Sequence, residues 1–356
     1  PPVRRAVVVG GGFIGLEAAE NLLHAGVATT LLQKGDQVLP PLDPDMAAEV
    51  HAYLRGCGVE LRLGAHVTGF VPEGDGLSVT LEGGERVPAD LALLGIGVMP
   101  ESELARSAGL TLGVKGAIAV DEHMRTSCPD IYAVGDAVEV RHFVSGAKSH
   151  IALAGPANKQ GRIAADHICG LPSTFTGSQG TSVIKLFDMT AASTGLNEKT
   201  ARAAGVDYGK AITYSASHAS YYPGARNMTV KTLFDPASGR ILGAQIVGFD
   251  GVDKRMDVLA AAIRAGLTAE QLTELDLAYA PPYGSAKDPV NMAGYVIENL
   301  RAGRVEQHHW DEVAGLPADG SVVLLDVRTP GEVKKQGLLR PDAVHIPLDE
   351  LRDRLG

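Results

Sequence analysis

Val7-Val8-Val9-Gly10-Gly11-Gly12-Phe13-Ile14-Gly15-Leu16-Glu17-Ala18-Ala19-Glu20-Asn21-Leu22-Leu23-His24-Ala25-Gly26 is the stretch that decides the fold. A β-branched run stops at glycines and passes into a segment with apolar residues at helical spacing, closed by Gly26; this reads as strand, tight turn and helix. The pattern gives each glycine a task. Gly10 permits the sharp turn, Gly12 lets backbone approach a pyrophosphate, and Gly15 allows close packing of helix on strand, with the anion at the helix N-terminus. Phe13 and Ile14 sit inside the same turn and are counted with the candidate site. Such a pattern alone is weak, but the next run, Ala28 to Leu32, arrives at the spacing of a second parallel strand. The beginning of the chain therefore reads as a doubly wound α/β NAD(P)-binding domain.

Just past that second strand stand Gln33 and Lys34, where an acidic side chain would hydrogen-bond the ribose 2′-hydroxyl of NAD. Gln33 is neutral and can still bond a hydroxyl, while Lys34 can pair with a 2′-phosphate. Both side chains could equally be solvated, so NADH and NADPH both stay open as cofactors. Glu17, one turn into the first helix, is either a plain surface residue or a contact to the nicotinamide end.

Composition bounds the rest. At 356 residues the chain has room for two or more domains, and 45% hydrophobic content, 21% charged content and 43 glycines describe folded α/β structure. A net charge of −10 with scattered Lys and Arg argues against a nucleic-acid partner. Cys57, Cys128 and Cys169 make no CxxC pair and no metal-ligand spacing, so no metal site is expected and a reducing cytoplasm fits. All three read as buried or incidental thiols. No apolar run of membrane length occurs, so no membrane partner is expected. Pro1-Pro2 leads straight into a strand, as though an upstream segment were missing.

A helix over 44–57, strand-like segments at 59–63, 67–71, 77–81 and 91–94, and a Gly-rich exit at Gly95-Ile96-Gly97 complete the first domain, with Gly97 beside the cofactor. Further on, GAIAVD (116–121) reads as a strand, followed by TSCPDIYAVGDA (126–137), in which Ile131 to Val134 reads as a strand ending on Gly135 and Asp136. A strand end of that kind offers a carboxylate beside backbone N–H groups, which suits a polyol and a pyrophosphate. Then LAGPANKQGR (153–162) begins a helix with proline near its start, leaving free N–H groups from Ala154 onward to face an electron-rich flavin edge.

With these motifs in this order, the chain resembles the pyridine nucleotide-disulfide oxidoreductases, within them the coenzyme A-disulfide reductases, NADH oxidases and persulfide or polysulfide reductases. The matching stretches are GGGFIGLE (10–17), VLPPLDPDM (38–46), LLGIGVMPES (93–102), TSCPDIYAVGDA, LAGPANKQGR, YYPGA (221–225) and LAYAPPYGSAKDPVNMAGY (277–295). The resemblance covers residues up to about 300. It implies FAD and NAD(P)H as cofactors, a redox-active sulfur centre, a small-molecule sulfur substrate and a homodimer built by the C-terminal part. By position Asp136 would bind the FAD ribityl chain, Ala154 the isoalloxazine, and Phe13 would lie near the nicotinamide pocket. Tyr221, Tyr222 and Tyr279 match positions that approach the sulfur centre of the opposite subunit, as catalytic candidates; interface packing is the competing reading. His218 and Lys287 are not assigned a role. Met99 departs from the arginine common in relatives. The reactive cysteine belongs to a half of the FAD domain that precedes the nicotinamide domain, and this chain lacks it.

The expected boundaries are 1–113 for the NAD(P)-binding domain, 114–178 for a partial FAD-binding domain, 179–303 for an α+β dimerisation domain, and 304–356 for a partial rhodanese-like α/β domain. The dimerisation sheet is read from strands at 183–187, 211–215, 229–234 and 241–247, with helices at 252–265 and 289–301 on one side. The last assignment follows a linker strand at 305–310 and a buried strand at 322–328, and rests on the resemblance of DVRTPGE (326–332) and AVHIPL (343–348) to the opening of a rhodanese sulfurtransferase. Three functions compete: an FAD-dependent NAD(P)H reductase of coenzyme A disulfide, persulfide or polysulfide; an oxygen-reducing NADH oxidase; and a non-catalytic nucleotide-binding and dimerisation fragment.

Overall fold

The β-branched runs at the start of the chain pair as a parallel sheet. In the computed structural model, which describes residues 2–354, Arg5–Val9 (β1) is followed by helix Phe13–His24 (α1), strand Ala28–Gln33 (β2), helix Pro44–Gly56 (α2) and strand Glu60–Leu63 (β3). Val67–Glu73 (β4), Gly76–Leu81 (β5) and Arg86–Ala89 (β6) form an antiparallel sheet of three strands, one more than the sequence indicates, before Leu91–Leu94 (β7) returns. The order β3-β2-β1-β7, with parallel pairing throughout, is one half of a doubly wound fold. All of β1 but Arg5 is buried, and α1 lays Gly15, Leu16 and Ala19 on the sheet.

After the short helix Glu103–Ser107 (α3), the segment up to 178 is mostly irregular. It contains the two-residue strands Val140–Arg141 (β8) and Lys148–Ser149 (β9) and one long helix, Ala154–Ile168 (α4). The strand expected over Ile131 to Val134 is reduced to a single bridge between Arg125 and Tyr132, and that over 116–121 to bridges from Ile118 to Leu112 and Val138. Apolar runs of strand character form a ladder only when neighbours complete the hydrogen bonds, and no such ladder exists here among the described residues.

Ser182–Leu186 (β10), Met189–Gly195 (β11), Gly209–Ala216 (β12), Asn227–Phe234 (β13) and Ile241–Gly248 (β14) then form an antiparallel sheet ordered β10-β11-β14-β13-β12, with the helix Glu198–Ala203 (α5) between β11 and β12. The helices Val252–Ala265 (α6), Ala269–Thr273 (α7) and Pro289–Arg301 (α8) follow, and α6 and α8 pack on the sheet. Sequence reasoning missed β11 because Met-Thr-Ala-Ala-Ser-Thr-Gly carries little apolar signal, although it is an inner strand. Alternation along the strands divides the sheet between two cores. Ala192 and Ile246 join α6 and α8 in one, whereas their neighbours Ala191 and Val247 join Leu16, Met46 and Val50 of the nucleotide domain in the other.

A buried lysine holds that second junction. Lys231 of β13 is fully buried, and its Nζ donates to Asp45 Oδ1 and Oδ2 at 2.8 and 2.7 Å and to Glu198 Oε1 at 2.6 Å, with Asp43 Oδ2 at 3.0 Å. Asp43 and Asp45 open α2 and Glu198 opens α5, so two helix N-termini meet on one ammonium, where their dipoles favour carboxylates. Gln245, paired in register with Lys231, donates to Asp43 Oδ2 at 2.7 Å and accepts from its backbone N–H at 2.6 Å. Arg202 and Lys210 complete the network on Glu198, so three carboxylates face three cations. Burial pushes Glu198 up and Lys231 down, but the mutual charges and hydrogen bonds win: Glu198 falls to about 2 and Lys231 rises above its usual value.

The second unit, Glu306–Gly356, holds the helix Trp310–Val313 (α9), strand Leu325–Asp326 (β15), helix Pro330–Gln336 (α10), strand Val344–His345 (β16) and helix Leu348–Leu351 (α11). The pair β15–β16 is parallel. The linker strand expected over 305–310 is absent, and the strand expected over 322–328 shrinks to β15, the part with a partner to pair with. Asp326 is buried and bound by the Arg328 guanidinium at 2.9 and 2.5 Å, which holds its carboxyl down at about 2.

Replacing Lys231 by Met should leave three carboxylates facing one another and cost about 3–5 kcal/mol, measured by denaturant unfolding. The acid side has a defined sign. Glu198 titrates lower in the folded chain than its ordinary value of 4.5, so its contribution is complete above that value and disappears as pH falls toward about 2. Unfolding midpoints recorded across this window should drop in the wild type and drop less in Glu198→Gln.

Candidate cofactor and redox site

The turn between β1 and α1 is shaped by steric necessity. Gly10 has φ +109°, and a Cβ on it would stand 2.3 Å from the Gly95 carbonyl oxygen; on Gly15 it would stand 1.9 Å from the Gly10 carbonyl oxygen. A Cβ on Gly12, by contrast, meets nothing within 4 Å, and Gly12 caps α1 with no side-chain hydrogen bond. The first N–H groups of α1 thus face open space, a cradle that fits a pyrophosphate. Ile14, Ile96, Val98 and Met99 are exposed at the same end of the sheet, where β1 and β7 finish, and give that surface an apolar rim around Gly97. Glu17 lies exposed one turn along α1 and Lys34 exposed past β2, while Gln33 Oε1 accepts a 2.8 Å hydrogen bond from the Gly11 N–H.

The Gly135-Asp136 turn is pinned on both sides. Gly135 donates its N–H to Gln160 Oε1 at 2.7 Å, and the Asp136 carbonyl oxygen lies 2.6 Å from His150 Nε2. The Asp136 carboxylate is left exposed, and α4 begins at Ala154 with no side-chain cap. An anchored turn with a free carboxylate beside a free helix N-terminus fits the ribityl hydroxyls and the carbonyl edge of a flavin. Gln160 and His150 were not foreseen; a polar residue in a helix carries no mark of what it will hold. Phe13, His150 and Leu153 line one cavity of about 350 Å³ together with Pro40, Pro41 and Gln179. The nucleotide turn and the start of α4 are therefore brought together, with Phe13 between them.

The tyrosines lie at a different place. Tyr221 and Tyr279 are exposed and share a 3.0 Å hydrogen bond between their hydroxyls, and Tyr222 packs edge-on against His218. Both loops are held by Arg255, buried in α6. It donates to the Ser217 and Tyr283 carbonyls at 2.9 and 3.3 Å and pairs with Asp288 at 3.0 Å. Asp288 in turn caps α8 through the Val290 N–H. Arg255 was not singled out in the sequence, because it lies within an amphipathic helix. Next to it is a cavity of about 520 Å³ that takes in His218, Lys254 and Tyr279. The Tyr221 hydroxyl raises Tyr279 above its usual range, so Tyr279 keeps its proton.

Cys57 and Cys128 are half-buried and Cys169 is exposed, so none is a core thiol, and none lines either cavity. The carboxylates Asp43, Asp45 and Glu198 converge as metal ligands might, but the Lys231 ammonium fills the space between them. Among the described residues no helix is long and apolar enough to cross a membrane.

A half doubly wound nucleotide domain, an anchored Gly-Asp turn facing an uncapped helix, and an antiparallel sheet with tyrosine loops define a flavin- and nicotinamide-linked class. The comparisons agree. Residues 1–161 match the pyridine nucleotide-disulphide oxidoreductase family and residues 181–289 its dimerisation domain. The chain is 35% identical to the coenzyme A disulfide reductase of Staphylococcus haemolyticus, over 83% of this chain and 66% of that one. Among solved structures it resembles reduced CoADR-RHD of Bacillus anthracis, with 48% identity and a TM-score of 0.93 over 99% of this chain and 63% of that one. It also resembles the NAD-dependent persulfide reductase of A. fulgidus, with 42% identity and a TM-score of 0.91 over 99% and 64%. The chain belongs to the pyridine nucleotide-disulphide oxidoreductase family, whose members use FAD and NAD(P)H, and it spans just under two thirds of the length of these relatives.

The glycines separate fold from binding. Gly12→Val should leave the melting temperature unchanged while abolishing NADH binding in a calorimetric titration, because its side chain enters only the cradle. Gly15→Ala should lower the melting temperature, since its Cβ collides with backbone.

Proposed function

We propose that this chain provides the nicotinamide site, part of the flavin site and the dimer-forming domain of an FAD-dependent NAD(P)H reductase acting on coenzyme A disulfide, a persulfide or a polysulfide. The observation that carries the reading is the cavity in which Phe13, beside the nucleotide turn, meets the start of α4. Bound together, the two cofactors supply hydride transfer from nicotinamide to flavin. The chain's own residues do the rest. Gly10, Gly12 and Gly15 shape a turn on which Phe13, Ile14 and the N-terminus of α1 receive the pyrophosphate, with Glu17 and Gly97 toward the nicotinamide and Gln33 and Lys34 toward the ribose. Asp136, presented by Gly135, accepts from the ribityl hydroxyls, and the N–H groups at Ala154 face the pyrimidine edge. Phe13 covers the junction and keeps water from it.

The paired hydroxyls of Tyr221 and Tyr279, with Tyr222 alongside, stand ready to protonate a thiolate leaving a sulfur substrate. That Cys57, Cys128 and Cys169 line neither cavity supports a redox cysteine other than these three. The match to a dimerisation domain supports a homodimer through 179–303, which would carry the tyrosines of one subunit to the sulfur centre of its partner. The parallel pair β15–β16 and the likeness of the whole chain to CoADR-RHD support a rhodanese-like identity for residues 304–356. The scattered cysteines support a cytoplasmic setting.

Anaerobic NAD(P)H oxidation by a flavin-loaded protein carrying this sequence should be stimulated by coenzyme A disulfide or polysulfide. Vigorous oxidation requiring oxygen and indifferent to sulfur compounds would replace this reading by the oxidase. In the sulfur reductase Tyr279→Phe should lower kcat by about a hundredfold while leaving flavin reduction by NAD(P)H intact.

A further inference from the structure

The segment Val38-Leu39-Pro40-Pro41-Leu42, between β2 and α2, straps the nucleotide turn to the rest of the domain. Val38 is fully buried, and its Cγ1 would stand 2.7 Å from a Cβ on Gly11, so it packs directly on the backbone of the turn. The Leu39 N–H donates to the Gly11 carbonyl at 2.9 Å, and Leu39 itself holds φ +48°, a left-handed conformation that is costly for leucine. Gln37 braces the strap by donating to the Leu42 carbonyl at 2.9 Å. Its far end is fixed by Asp43 beside the Lys231 ammonium, so any movement falls on the end that touches Gly11.

That end is held by a histidine. The Val38 N–H donates to Nε2 of His51, which lies buried in α2, at 3.1 Å. A backbone N–H can only donate and a ring nitrogen has a single lone pair, so Nε2 carries no proton and the neutral ring has its proton on Nδ1. A second proton could enter only at Nε2, where it would meet the Val38 N–H head on and leave two donors facing each other away from water. The charged groups that act on the ring are Arg55, one turn further along α2, and Asp36, just before the strap; β3 and β14, which also pack on α2, add none. Burial and the Arg55 charge hold the ring below its ordinary value of 6.5, and Asp36 offsets part of this. The neutral ring is therefore complete above 6.5 and gives way as pH falls below it, so acid is the condition that loosens the strap.

Resting on the assignment of the Gly10–Gly15 turn as the nucleotide site, we propose that His51 is a pH-sensitive latch on that turn. Its neutral ring holds the strap against Gly11. Its protonation frees Val38, lets Leu39 leave its strained conformation and withdraws the turn from the shape that receives a dinucleotide.

Calorimetric titration of NAD⁺, which survives mild acid, into the purified chain tests this over a series of pH values, with circular dichroism of the same samples to follow folding. Affinity should fall about tenfold between about pH 7.5 and about pH 5 while the chain stays folded. His51→Gln keeps an acceptor for the Val38 N–H and takes up no proton, so its affinity should stay level over the same range. Arg55→Gln, a change at the surface, removes a repelling charge and should move the transition to higher pH. Nitrogen-15 spectra of the His51 ring at neutral pH should show the proton on Nδ1. A proton on Nε2, a wild-type affinity indifferent to pH, an equal loss in His51→Gln, an unmoved transition in Arg55→Gln, or a loss seen only with global unfolding would overturn the inference and leave the nucleotide site standing. Absence of NAD⁺ binding at every pH would overturn the site itself.

Discussion

The Lys231 ammonium, shut away from water among Asp43, Asp45 and Glu198, is the interaction on which the arrangement of the first unit depends. Apolar burial brings the nucleotide domain onto the sheet, but hydrophobic contact is not directional and would tolerate sliding. The ion network does not tolerate it. Both Asp43 and Asp45 lie in the first turn of α2 or just before it, so a lysine from β13 sets the place where α2 begins. Asn197 adds to this by donating to the Pro40 and Pro41 carbonyls at 3.3 and 3.2 Å. Those prolines form a wall of the cavity that contains Phe13. The wall facing Phe13 is thereby tied to a charge cluster that α2 shares with β13 and α5. Buried ion pairs are weak evidence for net stability, and specificity of docking is the better account of this one.

Two kinds of site result, built on different materials. At the nucleotide turn and the start of α4 the parts on offer are backbone: helix N-termini without side-chain caps and glycines that leave room. Polar side chains there serve mostly the backbone, Gln33 and Gln160 each accepting from a glycine N–H, while the Asp136 carboxylate stays exposed. At the tyrosine loops the working parts are side chains, and rigidity comes from a buried guanidinium rather than from turns. Donors fixed in backbone suit ligands that must be held the same way at every cycle, whereas a hydroxyl pair suits proton delivery to a changing partner.

The sequence made the first domain legible in detail, because glycine spacing and β-branched runs report local geometry directly. Gly10, Gly12 and Gly15 stand as the spacing implies, and the parallel order around β1 follows. It was less informative about the segment from 114 to 178, where Ile131 to Val134 has strand composition yet lacks strands to pair with among the described residues. Inner strand β11 escaped notice for the opposite reason: its burial comes from Ala and Ser packed between two layers, and small residues give little periodic signal. Lys231, Arg255, Gln160 and His150 were invisible for a common cause. Each acts through partners between about 15 and 190 positions away in the chain, and a polar residue does not announce a partner it meets only after folding.

Arg255 has a consequence for how accurately the tyrosines are set. Metrologists prefer to measure every part of an assembly from one datum, so that errors do not accumulate from part to part. The loops bearing Tyr221 and Tyr279 are both fastened to the same guanidinium, and they also touch each other through the tyrosine hydroxyls and through the Ala219 N–H, which donates to the Pro281 carbonyl at 3.3 Å. The shared reference keeps the spacing of the two hydroxyls steady against drift in the surrounding chain. The same economy carries a liability: with a single datum, loss of Arg255 misplaces both tyrosines at once.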